Sequence, residues 1–342
     1  MPARPGVTLE KGRWAILHKK KAERSIRTAA IHGGPPKQRE GFGRRLTKDL
    51  KRNYVLYLMI LPVVAYFFLF SYVPMAGAQL AFKDYLIKEG IWGSPWVGWK
   101  HFARFFSSYN FWDLLRNTLA ISLYCLVVGT VVPILFSVLI NYVRNKRWQK
   151  TLQMVTYLPY FISNVVLVGM LTLFLGDSGI LNTLLERLGL GSIPFMSSAK
   201  LFRGVYTWSG VWQGLGYSAV IYIAALAGVD VQLHEAAIVD GASIWRRIWH
   251  IDLVALRPTI VVLFIMSLGN VINVGYEKVL LMQNSLNLAT SEVLSTYIYK
   301  MGLINSDYGF STAVGLFNSI VSMVLLFGAN RLCRKLAGYS LW

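Results

Sequence analysis

Residues 235–258, EAAIVDGASIWRRIWHIDLVALRP, gather Glu235, Asp240, Arg246, Arg247, Asp252 and Arg257 around a single glycine, Gly241. Apolar sequence flanks them on both sides. Several chemistries fail on residue type. His234-Glu235 opens like a zinc-protease HExxH, but position 238 is Ile and the second ligand is missing. No GxxxxGK[ST] loop occurs, so no ATP site of that kind is expected. The five histidines are scattered, and no nucleophile–base pair stands out by spacing. An acid at the centre of a membrane span would suggest a proton or sodium relay. The best candidate, Glu277 beside Lys278, falls near a span end. Cys125 lies in an apolar run and Cys333 in a basic tail, which fits neither a disulfide nor a zinc site.

Non-covalent docking remains. Glu235 to Asp240 can form a short helix, with Glu235 near its start, where acids are favoured. Gly241 permits a bend or cap, and Ser243 is an N-cap candidate for a second helix. Ala236, Ala237 and Gly241 make a small-residue face that another backbone can approach closely, with Glu235 and Asp240 as polar handles. Along the second helix Ile244, Ile248 and Ile251 share a face with Trp245 and Trp249 beside them, while Arg246, Arg247 and His250 turn toward water or headgroups. Such a segment is either a peg for a partner's groove or an interfacial helix that reverses the chain, and residue types leave both open.

The elements that position this stretch are membrane spans. The chain has 342 residues, 55% hydrophobic and 15% charged, against about a quarter charged in soluble domains. Six runs approach the ~20 apolar residues that a bilayer-crossing helix needs. They lie near 54–75, 114–141, 151–175, 204–227, 258–281 and 309–330. Pro159 is expected to kink the third, and Gly210, Gly214 and Gly216 to allow close packing of the fourth. The net charge of +19 does not signal nucleic acid, because 15 of the 35 Lys and Arg fall in residues 1–53 and most others flank apolar runs. That distribution suits topology and anionic lipid. Residues 1–53 lack the apolar core of a signal peptide and read as a basic cytoplasmic tail. With that tail inside, residues 235–258 face the cytoplasm, the loops at 76–113, 176–203 and 282–308 face outside, and residues 332–342 are a short inner tail. Trp92, Trp96, Trp99, Trp112 and Trp208 then mark the outer boundary, and GIWGSPWVGWKHFARFF forms a short amphipathic helix on that face. The expected organisation is the 1–53 tail, a 54–331 transmembrane domain and the 332–342 tail. No internal repeat of the secondary-transporter kind is found.

The stretch 235–258 closely resembles the EAA loop of permease subunits of ATP-binding-cassette importers, of the sugar-importing, maltose-permease-like kind. Glu235, Ala236, Ala237, Asp240, Gly241, Ala242, Ile251, Leu253 and Pro258 match the pattern; Val254 stands where a proline is usual. RNTLAISLYCLVVGTVVPILFSVLINYVRNKRWQKTLQMVTYLPYFIS and TYIYKMGLINSDYGFSTAVGLFNSIVSMVLLFGANRL are similar to the branch serving oligosaccharides and polysaccharide fragments, including alginate- and pectin-derived saccharides.

The resemblance implies an all-α polytopic protein of a bacterial cell membrane, six transmembrane helices with a cytoplasmic coupling helix between spans four and five and both termini inside. It implies a second permease subunit, different in sequence, two ATPase subunits that hold ATP and Mg, and an extracellular or periplasmic solute-binding protein that delivers a saccharide. No catalytic residue, metal or cofactor is expected in this chain. Glu235, Ala236, Ala237, Asp240 and Gly241 become the ATPase contact. Carbohydrate is held by aromatic faces and hydroxyl-bonding side chains, so Trp212, Gln213, Tyr217, Ser218 and Tyr222 in span four, and Asn270, Asn273 and Tyr276 in span five, are path candidates. Asn270, Asn273 and Glu277 repeat at i, i+3 and i+7, on one helical face. The alternatives are an ion-coupled secondary transporter, which leaves the EAA pattern unexplained, and a membrane scaffold or enzyme.

Overall fold

The computed structural model describes residues 51–269, 271, 272 and 274–338; residues 1–50, Asn270, Asn273 and residues 339–342 lie outside the described residues. Two compact units are present, one ending at Pro74 and one starting at Met75. In the first, YVLYLMILPVVAYF forms α1 (Tyr54–Phe67), apolar throughout, with Pro62 inside it. A wider π-type turn, Phe68–Tyr72, carries the chain to Val73 and Pro74.

The second unit opens on a 3-10 helix, Ala76–Phe82, and a polar cap. The expected amphipathic helix is α2 (Lys100–Phe106), which buries His101, Phe102 and Phe105. Arg104, on its outer side, pairs with Asp307 at 2.7 Å and lies over the Phe310 ring. Lys83 is buried in the cap, its Nζ donating to the carbonyls of Ile91 and Trp92 at 2.8 and 3.1 Å.

Among the described residues six helical runs are long and apolar enough to cross a membrane, and no strand is present. Span two is α3 (Phe111–Asn141), unbroken. Then comes α4 (Lys146–Tyr157), started by Asn145, whose side chain accepts from Arg147 and Trp148 N–H. Span three is built from α5 (Asn164–Leu175) and α6 (Ile180–Arg187). Span four is α7 (Phe202–Ala227). A short helix, α8 (Val231–Val239), leads to Ile244–Arg247, a π-type turn at Ile248–Asp252, and α9 (Leu253–Gly269), which together make span five. After it come α10 (Tyr276–Met282), α11 (Leu294–Tyr299) and span six, α12 (Tyr308–Ala337).

Two sequence expectations are corrected. The third apolar run, 151–175, is not one kinked helix. It breaks at a 3-10 turn, Leu158–Phe161, and Ser163 caps a new helix. Proline has no N–H to donate and disfavours helix in the residue before it, so Pro159 ends α4 rather than bending it. The fifth run is not one helix over 258–281 either. Helix stops at Gly269 and resumes at Tyr276; of the expected face Asn270, Asn273 and Glu277, the two asparagines lie outside the described residues.

Four apolar clusters pack the described residues, the smallest being Ala81, Phe102 and Ala313, which sets the cap on α12. Phe105, Leu114, Ile272, Leu294 and Phe310 join α2, α3, α11 and α12. Ile121, Val168, Phe202, Val279 and Val293 join α3, α5, α7 and α10. Ile134, Val138, Tyr222, Leu226, Ile248 and Leu256 join α3 and α7 to the start of span five. Packing also sets the glycines. A Cβ at Gly216 would overlap the Thr156 backbone and the Tyr157 ring, so only glycine lets α7 meet α4 this closely. At Gly214 an added Cβ meets only Ser218 Oγ, at 3.9 Å. Gly216→Val is therefore expected to lower the thermal midpoint of the detergent-purified protein by several degrees, an overpacking penalty of about 1–3 kcal/mol. Gly214→Ala should leave the midpoint nearly unchanged.

Candidate functional site

The polar stretch folds as a helix that stands out from the bundle. Asp230 starts α8, its carboxylate accepting from Gln232 N–H at 2.9 Å. Glu235 therefore sits mid-helix, not at the helix start as the sequence suggested. The far end is closed by two bonds, Ala242 N–H to Ala237 carbonyl at 2.8 Å and Gly241 N–H to Ile238 carbonyl at 3.0 Å. This is the Schellman arrangement, which needs a left-handed residue just past the cap. Gly241 supplies it with φ +72°. A Cβ there would meet nothing within 4 Å, so within this chain glycine is required by conformation and not by space. Glu235, Ala236, Ile238, Val239 and Asp240 are exposed, and Ala237 is half-buried. Acids, small residues and apolar side chains thus share one short open helix.

A carboxylate that sequence reasoning passed over ties this helix to the spans. Asp252 is fully buried. Its Oδ2 accepts from the Tyr142 hydroxyl at 2.7 Å, and its Oδ1 lies 3.3 Å from His234 Nε2. His234 belongs to α8, Tyr142 directly follows α3, and Asp252 ends the π-type turn that enters α9. Burial, then the bond to Asp252 and its charge, push the Tyr142 phenol above its ordinary value, with Arg247 opposing. Tyr142 is the donor in this bond. Arg247 does not turn to water as the sequence reading had it; it is half-buried, its guanidinium 5.7 Å from the centre of the Tyr142 ring. The second-helix face also shifts: Ile248 is buried, while Ile244, Trp245 and Trp249 stay exposed. The π-type turn changes the rotation between Ile248 and Ile251 that a regular helix would give. The sequence signal for the missed residue was an acid set between Ile251 and Leu253 at the mouth of a span.

Two adjoining cavities lie among α3, α7 and the broken end of span five. The larger, ≈ 460 Å³, is lined by Ser122, Thr130, Tyr206, Ser267, Val271 and Gly275, among others. The smaller, ≈ 280 Å³, takes in Thr207, Gln213, Ser218 and Lys278. Both reach Cys125, Gly129 and Tyr206.

The span-four and span-five candidates scatter around these spaces. Gln213 and Ser218 line the smaller cavity, and Gln213 Nε2 also donates to the Ile162 carbonyl at 2.7 Å. Trp212 faces an apolar crevice with Leu167, Met170 and Trp208. Tyr217 stacks on Tyr160 with centroids 4.1 Å apart. Tyr222 is buried in the inner apolar cluster. Tyr276 stacks on Tyr299. Asn270 and Asn273 lie outside the described residues. Sequence reasoning did not single out Lys278, Tyr206, Ser122 or Cys125 for the cavities. A lysine beside Glu277 near the end of an apolar run was the available signal.

Six crossing helices, a short exposed helix between spans four and five, and polar cavities within the bundle define a membrane permease. The chain belongs to the family of binding-protein-dependent transport system inner membrane components, whose model matches residues 129–337. It is 40% identical over 307 residues to Protein LplB of Bacillus subtilis (strain 168), covering 88% of this chain and 96% of that protein. It is 42% identical over 293 residues to the polygalacturonan/rhamnogalacturonan transport system permease protein YteP of the same organism, covering 85% and 91%. Its fold is similar to that in a bacterial ABC transporter involved in the import of the acidic polysaccharide alginate, with TM-score 0.80, 38% identity, and coverage of 85% of this chain and 99% of that chain. A second structure, of a bacterial alginate ABC transporter in complex with an alginate pentasaccharide-bound periplasmic protein, matches with TM-score 0.80 and 37% identity over 87% and 100% of the two chains. The chain is thus a multi-pass permease of the ATP-binding-cassette class that serves a binding protein, a transport component rather than a known ATPase.

The Asp252 junction yields a stability test. Asp252→Ala removes the acceptor for Tyr142 and is expected to destabilise the protein by about 1.5–3 kcal/mol, the range for a hydrogen bond to a charged group. Asp252→Asn, which keeps an acceptor, should lose less. Thermal unfolding of the purified protein reads both.

Proposed function

We propose that this chain forms half of the path of an ATP-driven importer for oligosaccharides, fragments of a polysaccharide such as alginate or pectin. A solute-binding protein delivers the saccharide from outside. A second permease of different sequence completes the path, and two cytoplasmic ATPase subunits, which hold ATP and Mg, drive it. The observation that carries this reading is the open helix α8, which presents Glu235, Ala236 and Asp240 while the buried Asp252 contacts tie it to spans two and five. In this reading Glu235, Ala236, Ala237, Asp240 and Gly241 seat in the ATPase, and α8 passes the motion of the ATPase to the spans. The path runs through the two cavities, with Gln213 and Ser218 on their walls; Asn270 and Asn273 remain path candidates from the sequence and lie outside the described residues. Trp212, Tyr217 and Tyr276 are exposed and remain path candidates, whereas Tyr222 is core. Both termini lie in the cytoplasm, with basic residues of the 1–53 tail against anionic lipid, residues 54–331 as the transmembrane domain and residues 332–342 as a short inner tail.

The reading is tested by copurifying the chain with an ATPase and measuring ATP hydrolysis in liposomes on addition of saccharide-loaded binding protein. Stimulated hydrolysis supports it. Uptake without any ATPase, abolished by an ionophore, would instead indicate an ion-coupled transporter. Two substitutions at one position then separate shape from bulk. Gly241→Val forces a β-branched residue into left-handed backbone, a strain of about 1–2 kcal/mol, and is expected to cut stimulated hydrolysis and uptake several-fold. Gly241→Asn tolerates that backbone and adds only bulk toward the partner. Loss in both variants assigns Gly241 to close approach; loss in valine alone assigns it to the helix end. Parent-level transport by a normally assembled valine variant would remove α8 from the coupling role.

A further inference from the structure

Lys278 lies inside the bundle with no carboxylate in ion-pair distance among the described residues. Lys278 is 7% exposed and lines the smaller cavity. Its Nζ donates to the Tyr206 carbonyl at 3.0 Å and lies 4.8 Å from the centre of the Tyr206 ring. The adjacent acid, Glu277, is engaged elsewhere: its Oε2 accepts from Asn164 Nδ2 at 2.6 Å, and its side chain is exposed. An ammonium carries three donors. One is spent on Tyr206, and the ring face answers part of the charge. The remainder is directed at the cavity.

Packing alone does not explain a lysine here. Burying an ion without a counter-charge costs several kcal/mol after relaxation, and an apolar side chain of similar length fills the same space at no such penalty. A Cβ at Gly210 would sit 3.2 Å from Nζ. The Tyr206 carbonyl and ring answer part of the charge, as the Ile91 and Trp92 carbonyls and the Trp96 ring do for buried Lys83. An anion entering the cavity would answer the rest. The cavity also carries hydrogen-bonding groups, Thr207, Gln213 and Ser218, and it adjoins a larger one with Ser122, Thr130 and Ser267. Together the volumes, ≈ 280 and ≈ 460 Å³, fall in the range of small-molecule sites, about 300–1,000 Å³. Hydroxyl-bonding groups around one buried cation, with an aromatic face alongside, match a sugar ring that bears a carboxylate.

We propose that Lys278 is a specificity-determining residue of the path, pairing with the carboxylate of a uronic acid unit as an acidic oligosaccharide passes. This inference rests on the importer reading above. Its chemistry is shared by galacturonate and mannuronate, so both are tested. The complete importer, parent and variants, is reconstituted in liposomes with its binding protein saturated in turn by trigalacturonate, trimannuronate, the methyl ester of each, and neutral maltotriose. The quantity read is the ratio of free-acid to ester uptake. The same binding protein serves every variant, so its own preference cancels when ratios are compared. Lys278→Met is expected to lower the ratio about tenfold, the loss of one charge-assisted hydrogen bond, and Lys278→Arg to retain most of it. Lys278→Gln, which removes the charge and keeps a polar end, should lower it too and stands in if the methionine variant does not assemble. The uronate whose ratio falls identifies the sugar. An unchanged ratio in Lys278→Met, or in Lys278→Gln where it stands in, overturns the proposal. So does uptake of maltotriose with neither acid, which leaves the importer reading standing. Failure of every saccharide to stimulate hydrolysis overturns the importer reading itself.

Discussion

Hydrocarbon offers no partner to a peptide N–H or carbonyl. Each place where this chain leaves the helix inside its apolar region must therefore be answered from within the protein. At the break before α5, Gln213 of α7 donates to the Ile162 carbonyl, and Ser163 caps the new helix. At the break after α9, Ser295 donates to the Val274 carbonyl, and Val274 N–H turns back to Ile272. These answers come from neighbouring elements, so the breaks are stable only in the assembled bundle. Glycine makes the approach possible at Gly216, where α4 ends directly against α7.

The same breaks create the space inside. Val271, Val274 and Gly275, all between α9 and α10, line the larger cavity, and Lys278 enters the smaller one from the first turn of α10. Had span five continued as one helix to 281, Lys278 would have kept a regular helical position relative to α9. The interruption lets α10 set out afresh from Gly275, with Val279 and Met282 in the apolar cluster around Phe202. Polar walls therefore arise as a by-product of how the backbone is satisfied, and one side chain, Gln213, does both jobs.

Length and hydropathy made the six spans legible, and spans two, four and six fall close to their expected places. Ser243 and Gly241 were legible as caps because capping is local chemistry. What stayed hidden was set by contacts between distant segments. Pro159 announced a disruption, but whether a proline kinks or ends a helix depends on what receives the freed carbonyls, and Gln213 lies 51 residues away in sequence. The aromatic residues of span four looked alike in sequence. Their neighbours separate them: Trp212 faces an apolar crevice, Tyr217 stacks on Tyr160 and Tyr222 is core. Asp252 was visible as a charge, yet its burial and its bond to Tyr142, 110 residues earlier, were not.

Val254 stands where the EAA pattern that this loop resembles has a proline. Valine keeps its backbone N–H, and the helical path runs from Ile244 through the π-type turn to Gly269 without a proline until Pro258. The segment just after α8 and the core of span five are thus one continuous helical rod. Asp252 lies on that rod, contacts His234 on α8 and accepts from Tyr142 at the end of α3. The two contacts differ in kind: Tyr142 donates a hydrogen bond to Oδ2, whereas His234 only approaches Oδ1, at 3.3 Å. In the coupling role proposed for α8, its motion reaches span five through this rod and span two through Tyr142, and a buried charge that loses its partners keeps its desolvation penalty.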